Sequence, residues 1–155
     1  MCTVLIIDDE QTILTLLNLA LTEFGYSVET AADGREGIEK FDRKFIDIVI
    51  TDICMPGIGG KDVARHIRNS SRGATPVIAI SGTPWMLEDA DFDKVLAKPF
   101  PLKDLYDIIE HFSNKTYNKM TENRLMRFEP KLYSQTPTEY SSTIGPQDLR
   151  GFPGP

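Results

Sequence analysis

Apolar and polar positions alternate in blocks along the first 112 residues of this 155-residue chain, and the blocks switch between two periods. Residues 3–7 (TVLII) form a continuous apolar run, as expected of a strand buried on both faces. The next block places Ile13, Leu16, Leu17, Ala20, Leu21 and Phe24 at the i, i+3, i+4, i+7 spacing of an amphipathic helix, which Gly25 ends. Residues 27–31 read as a second strand, with Val28 and Thr30 β-branched. Asp33 followed by Glu36 resembles a capping box and opens a helix through about Lys44.

Residues 46–51 (IDIVIT) predict a third strand, broken by Met55-Pro56-Gly57. Residues 61–69 carry Val63, Ala64 and Ile67 on one helical face, and residues 77–81 (VIAIS) predict a fourth strand. A short fifth strand follows at 95–97, then a helix from about Leu102 with Leu105, Ile108, Ile109 and Phe112 at helical spacing. Strands that alternate with helices imply an α/β fold with a five-stranded parallel sheet covered on both faces, because parallel strands need crossovers.

The last 43 residues break this pattern: from residue 130 on they hold five of the ten prolines, with Ser and Thr clusters and few aliphatic side chains. Such a stretch buries too little surface to offset its ordering entropy. The chain therefore divides into a domain at 1–114, a segment at 115–128 that can prolong the last helix, and a Pro/Ser/Thr-rich tail at 129–155.

Charge sharpens the picture. Residues 1–112 carry 11 Lys+Arg against 19 Asp+Glu, a balance of −8, and the remainder carries +2, giving −6 for the whole. An acidic body argues against direct nucleic-acid binding, which relies on Lys and Arg neutralising phosphates. No basic recognition helix is evident, so no DNA-binding output domain is expected. No apolar run approaches the roughly 20 residues of a membrane span. With no leader, and with only Cys2 and Cys54, a reduced cytoplasm is the expected setting.

The candidate chemistry lies at the carboxyl ends of the strands, where open parallel sheets bind ligands. Asp8 and Asp9 follow the first strand, Asp52 the third, Ser81 the fourth and Lys98 the fifth. Carboxylates packed together repel and raise one another's pKa unless a cation sits among them. A hard divalent cation with oxygen ligands, Mg2+ above all, answers that need. Asp52 would then act as a nucleophile toward a phosphoryl group, with its charge countered by the metal, Lys98, the Ser81 hydroxyl and nearby backbone N–H groups.

The acidic pair Asp8-Asp9, Asp52-Ile-Cys-Met-Pro-Gly57, Ile80-Ser81-Gly82 and Lys98-Pro99-Phe100 occur in order on these elements. Together they resemble the receiver domain of two-component response regulators, over roughly residues 3–112. The resemblance implies a doubly wound, flavodoxin-like sheet of order 2-1-3-4-5. It implies a stand-alone receiver that takes a phosphoryl group from a histidine kinase or phosphotransfer protein onto Asp52, with Mg2+, and signals to an unknown downstream protein through altered binding. Its only catalysis would be its own phosphoryl transfer and dephosphorylation. By the same resemblance, Asp9 matches the direct metal ligand, Asp8 its partner, and the Cys54 backbone carbonyl the third protein ligand. Ser81 and Lys98 match the switch hydroxyl and the phosphate-pairing lysine, with the Ile53 and Gly82 backbone at the phosphate. A cis peptide between Lys98 and Pro99 is also implied.

Two departures stand out. The position three before the lysine, usually Tyr or Phe, is Val95, and only 16 residues separate Ser81 from Lys98, which predicts a short or irregular fourth helix. These favour one alternative, a degenerate receiver acting as a phosphorylation-independent interaction module. An aspartate-based phosphatase would show a second Asp where Cys54 stands, and a flavin module would need a phosphate-cradling loop after the first strand. Cys54, crowded by carboxylates, is read as inert rather than redox-active, and His66 and His111 as surface residues. Trp85 is read as filling space left by the short helix, ahead of anchoring a partner. Tyr117, Tyr133 and Tyr140 are read as part of a region without a specific role.

Overall fold

The computed structural model describes residues 1–84 and 91–127, with side chains of the final helix described to Lys115. The expected irregular fourth helix, Trp85, the tail and the side chains of Tyr117, Tyr133 and Tyr140 lie outside the described residues. Among the described residues nine elements follow one another: β1 (Thr3–Ile7), α1 (Gln11–Glu23), β2 (Ser27–Ala31), α2 (Gly34–Arg43), β3 (Ile48–Asp52), α3 (Gly60–Arg68), β4 (Val77–Ser81), β5 (Lys94–Ala97) and α4 (Leu102–Arg127). The strands form one parallel sheet in the order β2-β1-β3-β4-β5. This is the doubly wound order that the resemblance implies.

Alternation along the strands sorts the core into two layers. Val4, Ile6, Ile48, Ile50, Ile78 and Ile80 point to one face, against Leu14, Leu17 and Leu21 of α1 and Leu105 and Ile109 of α4. Leu5, Ile7, Val49 and Val77 point to the other, against Phe41 of α2 and Val63, Ala64 and Ile67 of α3. Each fully buried Ile or Leu contributes about 1.5–3 kcal/mol of transfer free energy, so the three central strands anchor the fold. The edge strand β5 is only half-buried at Val95 and Leu96.

Local chemistry sets the element ends. Asp33 caps α2 by accepting from the Glu36 N–H at 2.8 Å, and Glu36 reaches back to the Ala32 N–H at 2.9 Å, one residue before the cap. Gly25 ends α1 at φ +86°. β3 starts two residues later than expected, because Asp47 makes its own link to β1. Its carboxylate accepts from the Thr3 N–H at 2.7 Å and its N–H donates to the Thr3 carbonyl at 2.9 Å. In α1 the buried stripe runs through Leu14, Leu17 and Leu21, while Leu16 and Phe24, expected on the inner face, are about half exposed. The helix is leucine-rich on more than one side, so spacing alone did not fix its rotation. Among the described residues, no helix is long and apolar enough to cross a membrane.

Asp93, the last member of the acidic run before β5, has a structural task. Its carboxylate accepts from the Val77 N–H at 2.8 Å and pairs with Arg68 at 2.6 Å. Arg68 also donates to the carbonyls of Gly73 and Thr75, so α3, the turn after it and the starts of β4 and β5 are tied together. His66 lies on the surface as expected, yet it is partnered: Nε2 lies 3.0 Å from Asp42 Oδ1, linking α3 to α2.

Candidate functional site

Strand polarity brings Asp8, Asp52, Ser81 and Lys98 to one edge of the sheet. Asp52 closes β3 between β1 and β4, its side chain only 10% exposed, and Lys98 follows β5 on the far side of β4. Lys98 Nζ lies 2.9 Å from Asp52 Oδ1, 3.6 Å from Asp8 Oδ2 and 3.8 Å from Glu10 Oε1. One ammonium therefore serves three carboxylates. Burial alone would lower the Lys98 pKa, but the hydrogen bond and charge of Asp52, with Asp8 and Glu10, hold it above the ordinary lysine value.

Asp8 is almost wholly buried, at 1% exposure. Its Oδ1 accepts from the Glu10 N–H at 2.8 Å, while Oδ2 has no hydrogen-bond partner among the described residues. Burial pushes the Asp8 pKa up; the Glu10 N–H and Lys98 oppose this, and the charges of Asp52 and Glu10 add to it. A buried oxygen without a donor is costly unless a cation meets it.

Backbone packing fixes Asp52. Gly60, at the start of α3, approaches so closely that a Cβ there would lie 2.3 Å from the Asp52 carbonyl oxygen. The Thr51 hydroxyl donates to that same carbonyl at 2.9 Å. Ser81 is buried, and its Oγ accepts from the Thr83 N–H at 3.0 Å, which leaves the hydroxyl hydrogen available for another acceptor. The Lys98–Pro99 peptide is cis, and the Lys98 N–H donates to the Ser81 carbonyl at 2.8 Å, tying the two residues at the backbone.

The remaining candidates are placed as follows. Asp9 and Cys54 are exposed. Gly82 has open space around it, with nothing within 4 Å of a Cβ. Val95 pairs with Ala79 in the β4–β5 ladder and is half-buried. The Ile53 N–H donates to the Ile80 carbonyl at 3.2 Å and extends the β3–β4 ladder by one rung. Glu10 was not among the expected site residues. Nothing in its local sequence distinguishes it from a helix-start residue, and only the position of Lys98 reveals it.

Among the described residues no three His, Cys, Asp or Glu side chains are gathered so as to hold a metal ion by themselves. Mg2+ does not require such a cage, because it keeps several waters and takes one or two carboxylates. The orphaned Asp8 Oδ2 beside exposed Asp9 suits a hard cation of that kind, so the residues present fit the ion.

This fold and this edge define a class, and comparison with known proteins agrees. The family model described as "Response regulator receiver domain" matches residues 4–110. Response regulator ArlR of Staphylococcus aureus (strain Mu50 / ATCC 700699) is 34% identical over 110 residues, which cover 68% of this chain and 49% of that protein. The chain thus spans about half the length of the curated relatives it matches. The crystal structure of response regulator TrrA from Thermotoga maritima, in complex with Mg(2+)-BeF, superposes with a TM-score of 0.67 at 33% identity, covering 72% of this chain and 99% of that one. The receiver domain of sensor histidine kinase PA1611 from Pseudomonas aeruginosa, with magnesium coordinated in its active-site cleft, gives 0.64 at 25% identity, covering 72% and 96%. The chain belongs to the response regulator receiver domain family.

Proposed function

We propose that this receiver accepts a phosphoryl group on Asp52 from a phosphohistidine of a kinase or phosphotransfer protein, with Mg2+, and signals through altered affinity for another protein. The observation that carries this reading is the 2.9 Å contact of Lys98 with Asp52 beside the orphaned Asp8 oxygen. A carboxylate nucleophile is held at a strand end with a cation already against it.

In the transfer, an Asp52 Oδ forms a bond to phosphorus while the P–N bond to the donor imidazole breaks. The bonding pair leaves with the imidazole nitrogen, which takes up a proton, and an aspartyl phosphate remains. Asp8, Asp9 and the Cys54 carbonyl would hold Mg2+, which when bound neutralises phosphoryl charge. Lys98 is placed to move from the Asp52 carboxylate to a phosphoryl oxygen. The Ser81 hydroxyl, with its hydrogen free of Thr83, is placed to donate to another, with the Gly82 backbone beside it. Because these groups sit on separate strands, a shift of Ser81 and Lys98 toward the phosphate moves the β4 and β5 ends, which a partner can read as a second conformation.

Intact-mass measurement after incubation with acetyl phosphate tests the reading. One added phosphoryl group that requires both Mg2+ and Asp52 is the expected result. Absence of any addition, from acetyl phosphate and from a phosphorylated histidine-kinase donor alike, would overturn it.

A further inference from the structure

Glu10 stands where a helix cap belongs, yet it does no capping. It occupies the N-cap of α1 in an extended conformation (φ −89°, ψ 105°), and its side chain makes no capping hydrogen bond. Ser, Thr, Asp and Asn do that work best. Its backbone N–H is committed to Asp8 Oδ1 at 2.8 Å, which fixes the residue beside the site. The carboxylate instead turns toward Lys98, with Oε1 3.8 Å from Nζ.

Exposure separates this carboxylate from the other two around Lys98. The side chains of Asp8 and Asp52 are 2% and 10% exposed, whereas Glu10 is 65% exposed. Glu10 is thus the solvent-exposed member of the set around Lys98. An incoming phosphoryl oxygen that takes Lys98 must compete with Glu10 and come close to a second negative charge.

We propose that Glu10 is a specificity-determining residue that disfavours small, free, doubly charged phosphodonors and so reserves Asp52 for phosphohistidine on a protein. A protein donor can bring its own cations to the rim and offset the Glu10 charge; a small acyl phosphate cannot. The proposal rests on the phosphoryl-acceptor reading above. A merely structural Glu10, favouring the positive end of the α1 dipole, would alter stability without discriminating between donors.

The test compares the 155-residue wild type, Glu10→Gln and Asp52→Asn by the initial rate of mass addition, with Mg2+. The donors are acetyl phosphate, a dianion at neutral pH, and phosphoramidate, which carries one fewer negative charge. Glu10→Gln is expected to react about threefold faster with acetyl phosphate at low ionic strength, the scale of an exposed charge interaction. The gain should be smaller with phosphoramidate and should close near 1 M salt, where the screening length falls to about 3 Å. Equal rates for Glu10→Gln and wild type, a gain equal for both donors, or a gain that persists in high salt would overturn the role of Glu10 and leave the acceptor reading standing. Wild type that neither small donor nor a phosphorylated kinase can modify would bring down both.

Discussion

Lys98 Nζ and Asp52 Oδ1 lie 2.9 Å apart across the end of β4, so a single ion pair joins two strands that are not neighbours in the sheet. Both groups are largely withdrawn from water, with 27% and 10% side-chain exposure. Removing one partner strands the other, which for a fully buried pair costs about 3–5 kcal/mol. The partial exposure of Lys98 reduces this, and Lys98→Met is expected to lose about 1–2 kcal/mol at neutral pH. Asp52→Asn removes the charge that Lys98 chiefly answers, so the double variant should recover part of that loss. A double-mutant cycle by urea unfolding checks this, and strictly additive effects would show that the two residues are not coupled.

Asp8 carries the opposite expectation. Its Oδ2 is buried without a donor, 3.6 Å from a lysine already engaged by Asp52. Asp8→Asn keeps an acceptor for the Glu10 N–H and removes a like charge next to Asp52. Without Mg2+ the variant should be about 1 kcal/mol more stable than wild type, the scale of relieving one poorly satisfied buried group. Added Mg2+ should raise the unfolding midpoint of wild type more than that of the variant, because only binding to the folded state stabilises. An Asp8→Asn protein less stable than wild type in the absence of metal would refute the reading of Oδ2 as a waiting ligand.

Much of this was legible from residues alone, for identifiable reasons. β1, β2 and β4 begin and end where apolar and β-branched runs do, because pairing and burial there depend on the strand's own side chains. The strand-end residues Asp8, Asp52, Ser81 and Lys98 were legible because parallel topology sends all strand ends to one edge. What was hidden depends on distant partners. Asp47 replaces the first rungs of β3 through Thr3, 44 positions away. Asp93 is a brace for Arg68 and Val77 rather than one of a loose acidic run. Glu10 joins the site only because Lys98 is folded onto it. The Ile53 N–H reaches the Ile80 carbonyl because the β3–β4 ladder continues one rung past the strand.

The two cysteines should differ sharply toward thiol reagents. Cys54 is exposed, whereas Cys2 is half-buried, with Ser113 Oγ donating to its Sγ at 3.3 Å. Burial raises the Cys2 pKa, Asp47 adds to that, and the Ser113 hydrogen bond and the N-terminal charge oppose it. A raised pKa in the folded state means that this contribution to stability is fully present below the unfolded-state value and is lost as pH rises through the folded-state value. Near neutral pH, iodoacetamide should modify Cys54 first, with Cys2 following only at alkaline pH or on unfolding. Peptide mapping after a short exposure checks the order, and faster labelling of Cys2 would contradict its placement beneath α4.

Gly60 and Gly82 flank the site and should respond unequally to the same substitution. A Cβ at Gly60 would lie 2.3 Å from the Asp52 carbonyl oxygen and 3.0 Å from Ile53 Cα, both rigid backbone atoms. A Cβ at Gly82 would meet nothing within 4 Å. Alanine in a helix gains roughly 0.5–1 kcal/mol over glycine, but forcing α3 away from β3 costs about 1–3 kcal/mol as overpacking. Gly60→Ala should therefore be net destabilised by about 1–2 kcal/mol, with slower acyl-phosphate labelling because the Asp52 backbone must shift. Gly82→Ala should unfold within about 0.5 kcal/mol of wild type, the usual range for an uncrowded surface change. Urea midpoints measured alongside labelling rates separate the two effects. A Gly60→Ala protein as stable and as reactive as wild type would mean that α3 can retreat without moving Asp52, and that the contact does not position the nucleophile.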